Sequence, residues 1–554
     1  DGTVHYFPAD APQSVLHISV LKDGGKIPTE PSSSAAPAPP SLHTRLSINF
    51  SGGADVSIRH KDPDFEPEFN HQHAMSLQLG MNKDDFQLSL QTRLAYSGQD
   101  FNNGDKVDLS QLTVSIQMDH HLLELGDQNF YQSEFTISGM GRRGILYKHE
   151  GIGLQWQAFA LNSQQLVGFR GFGLPKKDLG LFGGLLGYKQ NEWQLNLLYL
   201  SGKDDPAEGS NNAFSPAYSP REGSLISLFG NLQLFRQQLS CSSEIAFSRH
   251  DDKLDDGLGA ENGMAWKTEL QGQIKSWSIH AFYHDIDKAF NSIGQLYFTN
   301  DRRQYGANSS LQLSQNISWG VSYHSEYSGS DSQTPDPLTP YHQTILSQNT
   351  QVSSSLSLMV SGKLNLSLMA TKSWQEARQN NLILPDGAID RIGLTLGLNW
   401  TFAKGSALFI NSNIDQIYSE KAPEREGKSL NAQLGGTFSS GEGFSLNPSF
   451  SFARQENPQS GEIATIWGST LSGRMNFFTR FISLDLMGSY NHMEMSQVSS
   501  SNFMVDGGLS LESADLLKFA RLAFSLRGAY LFSETDGLSI NDYRIYLRGD
   551  YSIL

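Results

Sequence analysis

The 554-residue sequence predicts an all-β fold, a single transmembrane antiparallel β-barrel of about 24–28 strands, with 28 the best count and 26 the next. Three observations carry that expectation. The first is strict alternation. In Val352–Ala370, Val352, Leu356, Leu358 and Val360 fall on one parity. Ser361, Gly362 and Lys363 turn the chain, and Leu364, Leu366, Leu368 and Ala370 resume the pattern with Asn365 and Ser367 opposite, as in a hairpin with one apolar and one polar face. The second is composition. Only 18% of residues are charged, against about 25% in an average soluble domain. Yet no run approaches the ~18 apolar residues of a membrane helix, whereas a barrel strand needs apolar residues on its lipid side only. The third is an asymmetry of connections: short turns within strand pairs, long segments between them.

Taken in order, residues 1–41 form an N-terminal segment in which SVLHISVL at 14–21 is a possible first strand and PTEPSSSAAPAPPS at 28–41 a proline- and serine-rich loop. The barrel is expected over 42–554. Leu46, Ile48 and Phe50 lead through a Ser51-Gly52-Gly53 turn to Val56 and Ile58, and Leu77 and Leu79 turn at residues 82–85 into Phe86 and Leu88. Leu112–Met118 returns through HHLLELG, and a strand pair is expected at 144–160. Residues 127–181 hold the pattern least well and are the best place for an internal loop, a constriction or a partner contact. From Leu186 the hairpins repeat without interruption to Phe532, and a last strand covers 543–554. Long connections are expected at 98–106, 202–222, 250–262, 286–303, 327–349, 375–389, 419–428, 454–463 and 492–501.

The net charge of −16 argues against nucleic-acid binding, which favours basic surfaces. Cys241 is the only cysteine, which excludes an intramolecular disulfide and a cysteine metal cluster. The sequence starts at Asp1 with no methionine or apolar targeting stretch, as a processed chain would.

The repeated hairpins and the aromatic-rich terminal YRIYLRGDYSIL resemble bacterial outer-membrane β-barrel proteins over nearly the whole chain. LELGDQNF followed by GMGRRG resembles a segment of ushers and other large secretion barrels, in which a Gly-Asp strand end precedes an arginine-bearing strand. TonB-dependent receptors are similar in barrel size but carry a plug domain ahead of the barrel, for which residues 1–41 are too short. The large translocon barrels of the Bacteroidota are similar too, and are filled or capped by separate subunits. These resemblances imply a bacterial outer-membrane location, with membrane lipid, surface glycolipid and periplasmic or lipoprotein subunits as partners. The expected function is a conduit or scaffold in a secretion or surface-assembly complex, its lumen plugged by a partner or an internal loop. The alternatives are a diffusion porin or uptake channel for sugars or peptides, and a sealed structural or adhesive barrel.

No G-x-S-x-G, H-E-x-x-H or P-loop pattern occurs, so neither an enzyme nor a cofactor is expected. His71, His73, His120 and His121 fit turn and girdle positions better than a metal site. Asp251, Asp252, Asp255 and Asp256 are calcium candidates, set against the plainer reading of a solvated loop. Arg142, Arg143, Arg170, Lys176 and Lys177 are candidates for contact with anionic cargo or an acidic plug, set against ordinary polar lining. Trp156, Trp193, Trp266, Trp277, Trp319, Trp374, Trp400 and Trp467 are candidates for aromatic girdles at a lipid boundary.

Overall fold

The computed structural model describes residues 18–19, 43–61, 64–83, 85–97, 106–137, 140–163, 169, 175–176, 179–204, 220–257, 259–295, 298–329, 345–379, 382–419, 426–441, 443–456, 461–477, 482–495, 498–512, 520–535 and 538–553. β1 (Ile18–Ser19) lies beside β2 (His43–Lys61), which pairs with β3 (Asp64–Lys83). Hairpins with short turns follow. β3 pairs with β4 (Phe86–Ser97), β5 (Val107–Met118) with β6 (His121–Phe130), and β7 (Met140–Glu150) with β8 (Leu154–Asn162). β9 (Gly180–Lys189) pairs with β10 (Trp193–Asp204), β11 (Arg221–Leu234) with β12 (Leu239–Asp251), and β13 (Glu261–Ile274) with β14 (Trp277–Ile286). β15 (Arg302–Ser314) pairs with β16 (Ile317–Ser328), β17 (Ile345–Ser361) with β18 (Leu364–Gln379), and β19 (Leu382–Ala403) with β20 (Ser406–Tyr418). β21 (Gly427–Ser440) pairs with β22 (Phe444–Glu456), β23 (Ile463–Phe477) with β24 (Ile482–Met495), and β25 (Val498–Glu512) with β26 (Ala520–Thr535), ahead of β27 (Leu538–Ile553).

Every pairing is antiparallel and joins neighbours in sequence, with one exception. β27 bonds β26 on one side and, over Phe50–Arg59, β2 on the other. Alternation sets the faces. Leu356 pairs with Leu368 and Leu358 with Leu366, while Ser353 pairs with Thr371 and Ser357 with Ser367. A one-residue slip would exchange the two faces entirely, so the side-chain pattern itself fixes the register.

The described sheet has 27 strands rather than the expected 28, because one expected turn is absent. SVLHISVL contributes only the two residues of β1. Ser51-Gly52-Gly53 is no turn: the β2–β3 ladder runs unbroken from His43↔Asn82 to Lys61↔Asp64. Glycines inside a ladder look locally like a turn, and only the distant partner strand tells them apart. Two expected long connections are strand as well, since β18 and β19 reach Gln379 and Leu382 and β24 and β25 reach Met495 and Val498. The proline- and serine-rich loop at 28–41 lies outside the described residues.

Buried apolar side chains lie in one sector. Among the described residues they run from Leu109 to Ile293, and Leu198, Leu200, Leu225, Ala246 and Ala265 form their floor. The lid is made by two connections, 131–137 between β6 and β7 and 287–301 between β14 and β15. Phe135, fully buried, meets Phe290 and Phe298 edge-on at 5.9 and 6.5 Å. Ser292 Oγ donates to Thr136 O at 2.7 Å. The face they cover lies opposite the exposed side chains of Leu195, Leu197, Ile226 and Phe247 and is termed the inner face. Gly263 makes the close approach possible, because a Cβ there would lie 2.2 Å from Phe290 N.

The turn of the chain into 131–137 is prepared within β6. Gly126 has φ +101°, and a Cβ on it would meet Leu112 O at 2.0 Å, so only glycine fits. There the β5–β6 ladder stops, at Thr113↔Gly126, and side chains take over its bonds. Leu112 N donates to Asp127 Oδ2 at 2.8 Å, Arg143 Nε donates to Asp127 Oδ1 at 2.7 Å, and Arg143 donates to Leu109 O at 2.7 Å. Gly126→Ala is expected to destabilise the fold by at least about 1–3 kcal/mol, read as a lower midpoint of denaturant unfolding. Gly528→Ala, with nothing within 4 Å of the new methyl, is expected to leave the midpoint unchanged.

Candidate functional site

Cross-strand register assembles a polar row on the inner face: Glu244 of β12 opposes Lys267 of β13, which opposes His284 of β14, then Gln304, Glu326 and Asn349. Each residue sits at an inner parity of an otherwise alternating strand. One turn of connection 131–137 docks on the start of this row. Glu244 is 3% exposed, and its Oε1 accepts from Ser133 Oγ at 2.6 Å and Ser227 Oγ at 2.9 Å. Lys267 Nζ donates to Glu134 Oε2 at 2.7 Å and lies 5.6 Å from the centre of the Phe135 ring. Its other carboxylate neighbours, Glu244 and Glu269, are at 3.9 and 4.0 Å. Burial works against the Glu134 carboxylate, but the bond and charge of Lys267 outweigh it and hold the Glu134 pKa below its ordinary 4.5.

Connection 287–301 locks over the turn. Gln295 Nε2 donates to Glu134 O at 2.5 Å, and Asn291 donates from Nδ2 to Asp252 Oδ1 at 3.0 Å and from its backbone N to Ser248 Oγ at 3.1 Å. His250, bonded to Asp252, holds that carboxyl below its ordinary pKa. Further along the row, Glu269 Oε1 is 3.3 Å from His284 Nε2 and Glu326 Oε2 accepts from Gln304 Nε2 at 2.9 Å. Toward the short turns the same strands lose their charges. A recess of about 580 Å³ there is lined by Ser240, Gln271, Gln273, Ser278, Asn308 and Ser310 among others. The inner face thus passes from a level of charged side chains to one of amides and hydroxyls.

The expected site residues divide. Arg143 is 1% exposed and committed to Asp127 and Leu109, so it braces the strand break. Arg142 is buried too, with Asp204 and Arg221 as charged neighbours, and Lys176 is exposed. Arg170 and Lys177 lie outside the described residues. Asp251 Oδ1 accepts from Lys253 N, Asp252 anchors connection 287–301, and Asp255 and Asp256 stand in the same turn. His73 stacks on Tyr96 at 6.1 Å, and His121 lies against His149 at 4.6 Å with Nδ1 2.6 Å from the Tyr147 hydroxyl. Register puts all eight tryptophans on the outer parity. Trp156, Trp193, Trp277, Trp319 and Trp400 are near the short turns, and Trp266, Trp374 and Trp467 near the opposite strand ends. Leu364, which pairs with Trp400, is ten residues from Trp374 along β18, about 33 Å of strand and ~25 Å of height at a tilt near 40°.

Sequence reasoning located the inward connection within 127–181 and missed its seat. The signal was present as charges at inner parities, Glu244 in LSCSSEIAF and Lys267 and Glu269 in AWKTEL.

No protein-family model and no curated protein matches the chain. Among solved structures it is similar to OpdO of Pseudomonas aeruginosa, at 13% identity and a TM-score of 0.32 over 67% of this chain and 96% of that one. It is also similar to the outer membrane protein OprD of the same organism (10%, 0.33, 60% and 88%) and to OccAB3 of Acinetobacter baumannii (11%, 0.31, 67% and 99%). Similarities this distant carry no part of the functional argument.

Because the Glu134 pKa is lowered, its link to Lys267 is intact above 4.5 and is lost as pH falls through the lower folded value. A spin label at Tyr131→Cys in a Cys241→Ser background is expected to be immobile at about pH 7 and mobile by about pH 3, and to be mobile at both in Glu134→Gln. Equal mobility at the two pH values in the otherwise native background would contradict the link.

Proposed function

We propose that the chain is a closed 26-stranded transmembrane barrel of the bacterial outer membrane, β2–β27 in a ring, that conducts small polar solutes without catalysing a reaction. The observation that carries this reading is the division of the strands by parity. Leu195, Leu197, Ile226, Leu228, Phe247, Leu356 and Leu368 are exposed on the outer face, whereas the opposite face bears Ser, Asn, Gln and the charged row. Exposed apolar residues in continuous rows suit hydrocarbon, and the two tryptophan levels match the height of a barrel's apolar band. Closure then satisfies every strand edge, as a lipid-exposed sheet requires.

Twenty-six strands at ~4.8 Å spacing and ~40° tilt enclose a ring about 50 Å across, far wider than a selective pore. Connections 131–137 and 287–301 narrow one sector of it, which favours diffusion or uptake of polar solutes such as sugars or peptides. A second reading, a barrel sealed by a partner subunit in a secretion or surface-assembly complex, is favoured by one feature. Among the described residues no apolar side chain beyond Ile293 is buried, so the inner faces of β15–β27 have no packed covering of their own.

In planar bilayers the isolated protein is expected to conduct in discrete steps, and Lys267→Glu to shift its reversal potential toward cations. Large, unstable conductance silenced only by a co-purifying subunit would favour the second reading, and absence of conductance would contradict both. Leu368→Arg, midway between the two tryptophan levels on the outer face, is expected to cost about 2–4 kcal/mol of folding stability in lipid, and Ser367→Arg, its inner neighbour, close to none.

A further inference from the structure

We infer that Glu134, Glu269 and His284 form a site for a divalent first-row transition-metal ion that staples connection 131–137 to the barrel wall. One oxygen of each carboxylate and a nitrogen of the imidazole lie within 4.8 Å of one another, and they come from three separate elements, the connection, β13 and β14. Bonds of about 2.0–2.2 Å to one ion would draw them together by side-chain rotation alone.

The local charge points the same way. Lys267 faces three carboxylates, those of Glu134, Glu244 and Glu269, at 2.7, 3.9 and 4.0 Å, three acids around one ammonium. Glu244 is turned to two serine hydroxyls, which leaves Glu134 and Glu269 as the carboxylates open to the inner face. Lys267 engages Oε2 of Glu134, while Glu269 Oε1 already faces His284 Nε2 at 3.3 Å. An imidazole with two carboxylates is a donor set for zinc or cobalt, with water completing the sphere. Calcium, which takes six to eight oxygens, is poorly served by it. Glu134 and Glu269 are 46% and 34% exposed at their side chains, so an ion can enter from the inner face. The inference rests on the proposed function only in taking that face as water-filled.

The test is titration of the detergent-purified, tag-free protein with Co²⁺, read by its ligand-field absorption, and with Zn²⁺ by calorimetry. One equivalent is expected to bind, to be weakened by roughly tenfold or more in both His284→Ala and Glu134→Gln, and to be unchanged by excess Ca²⁺ or in His324→Ala. Glu134 lies outside the strands, so its variant separates loss of a ligand from failure to fold. No binding, binding that survives both ligand variants, or equal weakening in His324→Ala overturns the site. A barrel that binds the ion but does not conduct retains the site and loses the channel; one that conducts but binds no ion loses the site alone.

Discussion

A strand surrounded by hydrocarbon can send its backbone hydrogen bonds only sideways, to the strands next to it. In this chain each described strand from β2 to β27 bonds a neighbour on both sides, and the Phe50–Arg59 ladder lets the last strand serve the first, as the proposed membrane setting requires. Side chains are then left with one decision each, inward or outward, made at every second residue. Low charge, continuous apolar rows on one parity and serine-rich rows on the other all follow from it. So does the lack, among the described residues, of buried apolar side chains beyond Ile293, since a wide barrel has walls in place of a core.

One sector departs from that economy. At Gly126 the ladder between β5 and β6 gives out, and Asp127 and Arg143 replace the missing backbone bonds with charge-assisted ones. The chain is thereby released toward the inner face, where Ser133, Glu134 and Phe135 find a seat built by strands more than a hundred residues away. The seat costs the wall its neutrality. Glu244 is buried and Lys267 partly so, and each is kept by the other and by the hydroxyls around them. Connection 287–301 closes over both, so two loops that could have stayed at the rim instead complete the two buried apolar clusters the molecule has among its described residues.

Much of the wall was legible in the sequence because alternation is a local signal. The hairpin of Leu356, Leu358, Leu366 and Leu368 could be drawn from its residues and its turn, and register agrees with it. Local signals failed where the deciding partner is distant. Gly52 and Gly53 read as a turn until β3 and β27 are placed on either side of them. The polar segments at 375–389 and 492–501 read as loops, because strands that continue beyond an apolar band no longer need apolar residues. The site shows the same division. Residues 127–181 stood out because their alternation lapses, whereas the contact of Glu134 with Lys267 spans 133 positions and leaves no local trace. Arg143 was noticed for its charge, but its role as a brace depends on the Leu109 carbonyl, which sequence does not reveal.

The division of each strand into a lipid face and a water face is the claim on which the functional reading stands. It is tested most directly by placing single cysteines at successive positions of β17 and β18, from Ser353 to Ser373, in a Cys241→Ser background in lipid vesicles. The account predicts period two: Ser353, Ser355, Ser357, Ser367 and Thr371 react with a membrane-impermeant thiol reagent. Leu356, Leu358, Leu366 and Leu368 are predicted to react only with a lipid-soluble one. Reaction of both parities with the impermeant reagent would contradict it.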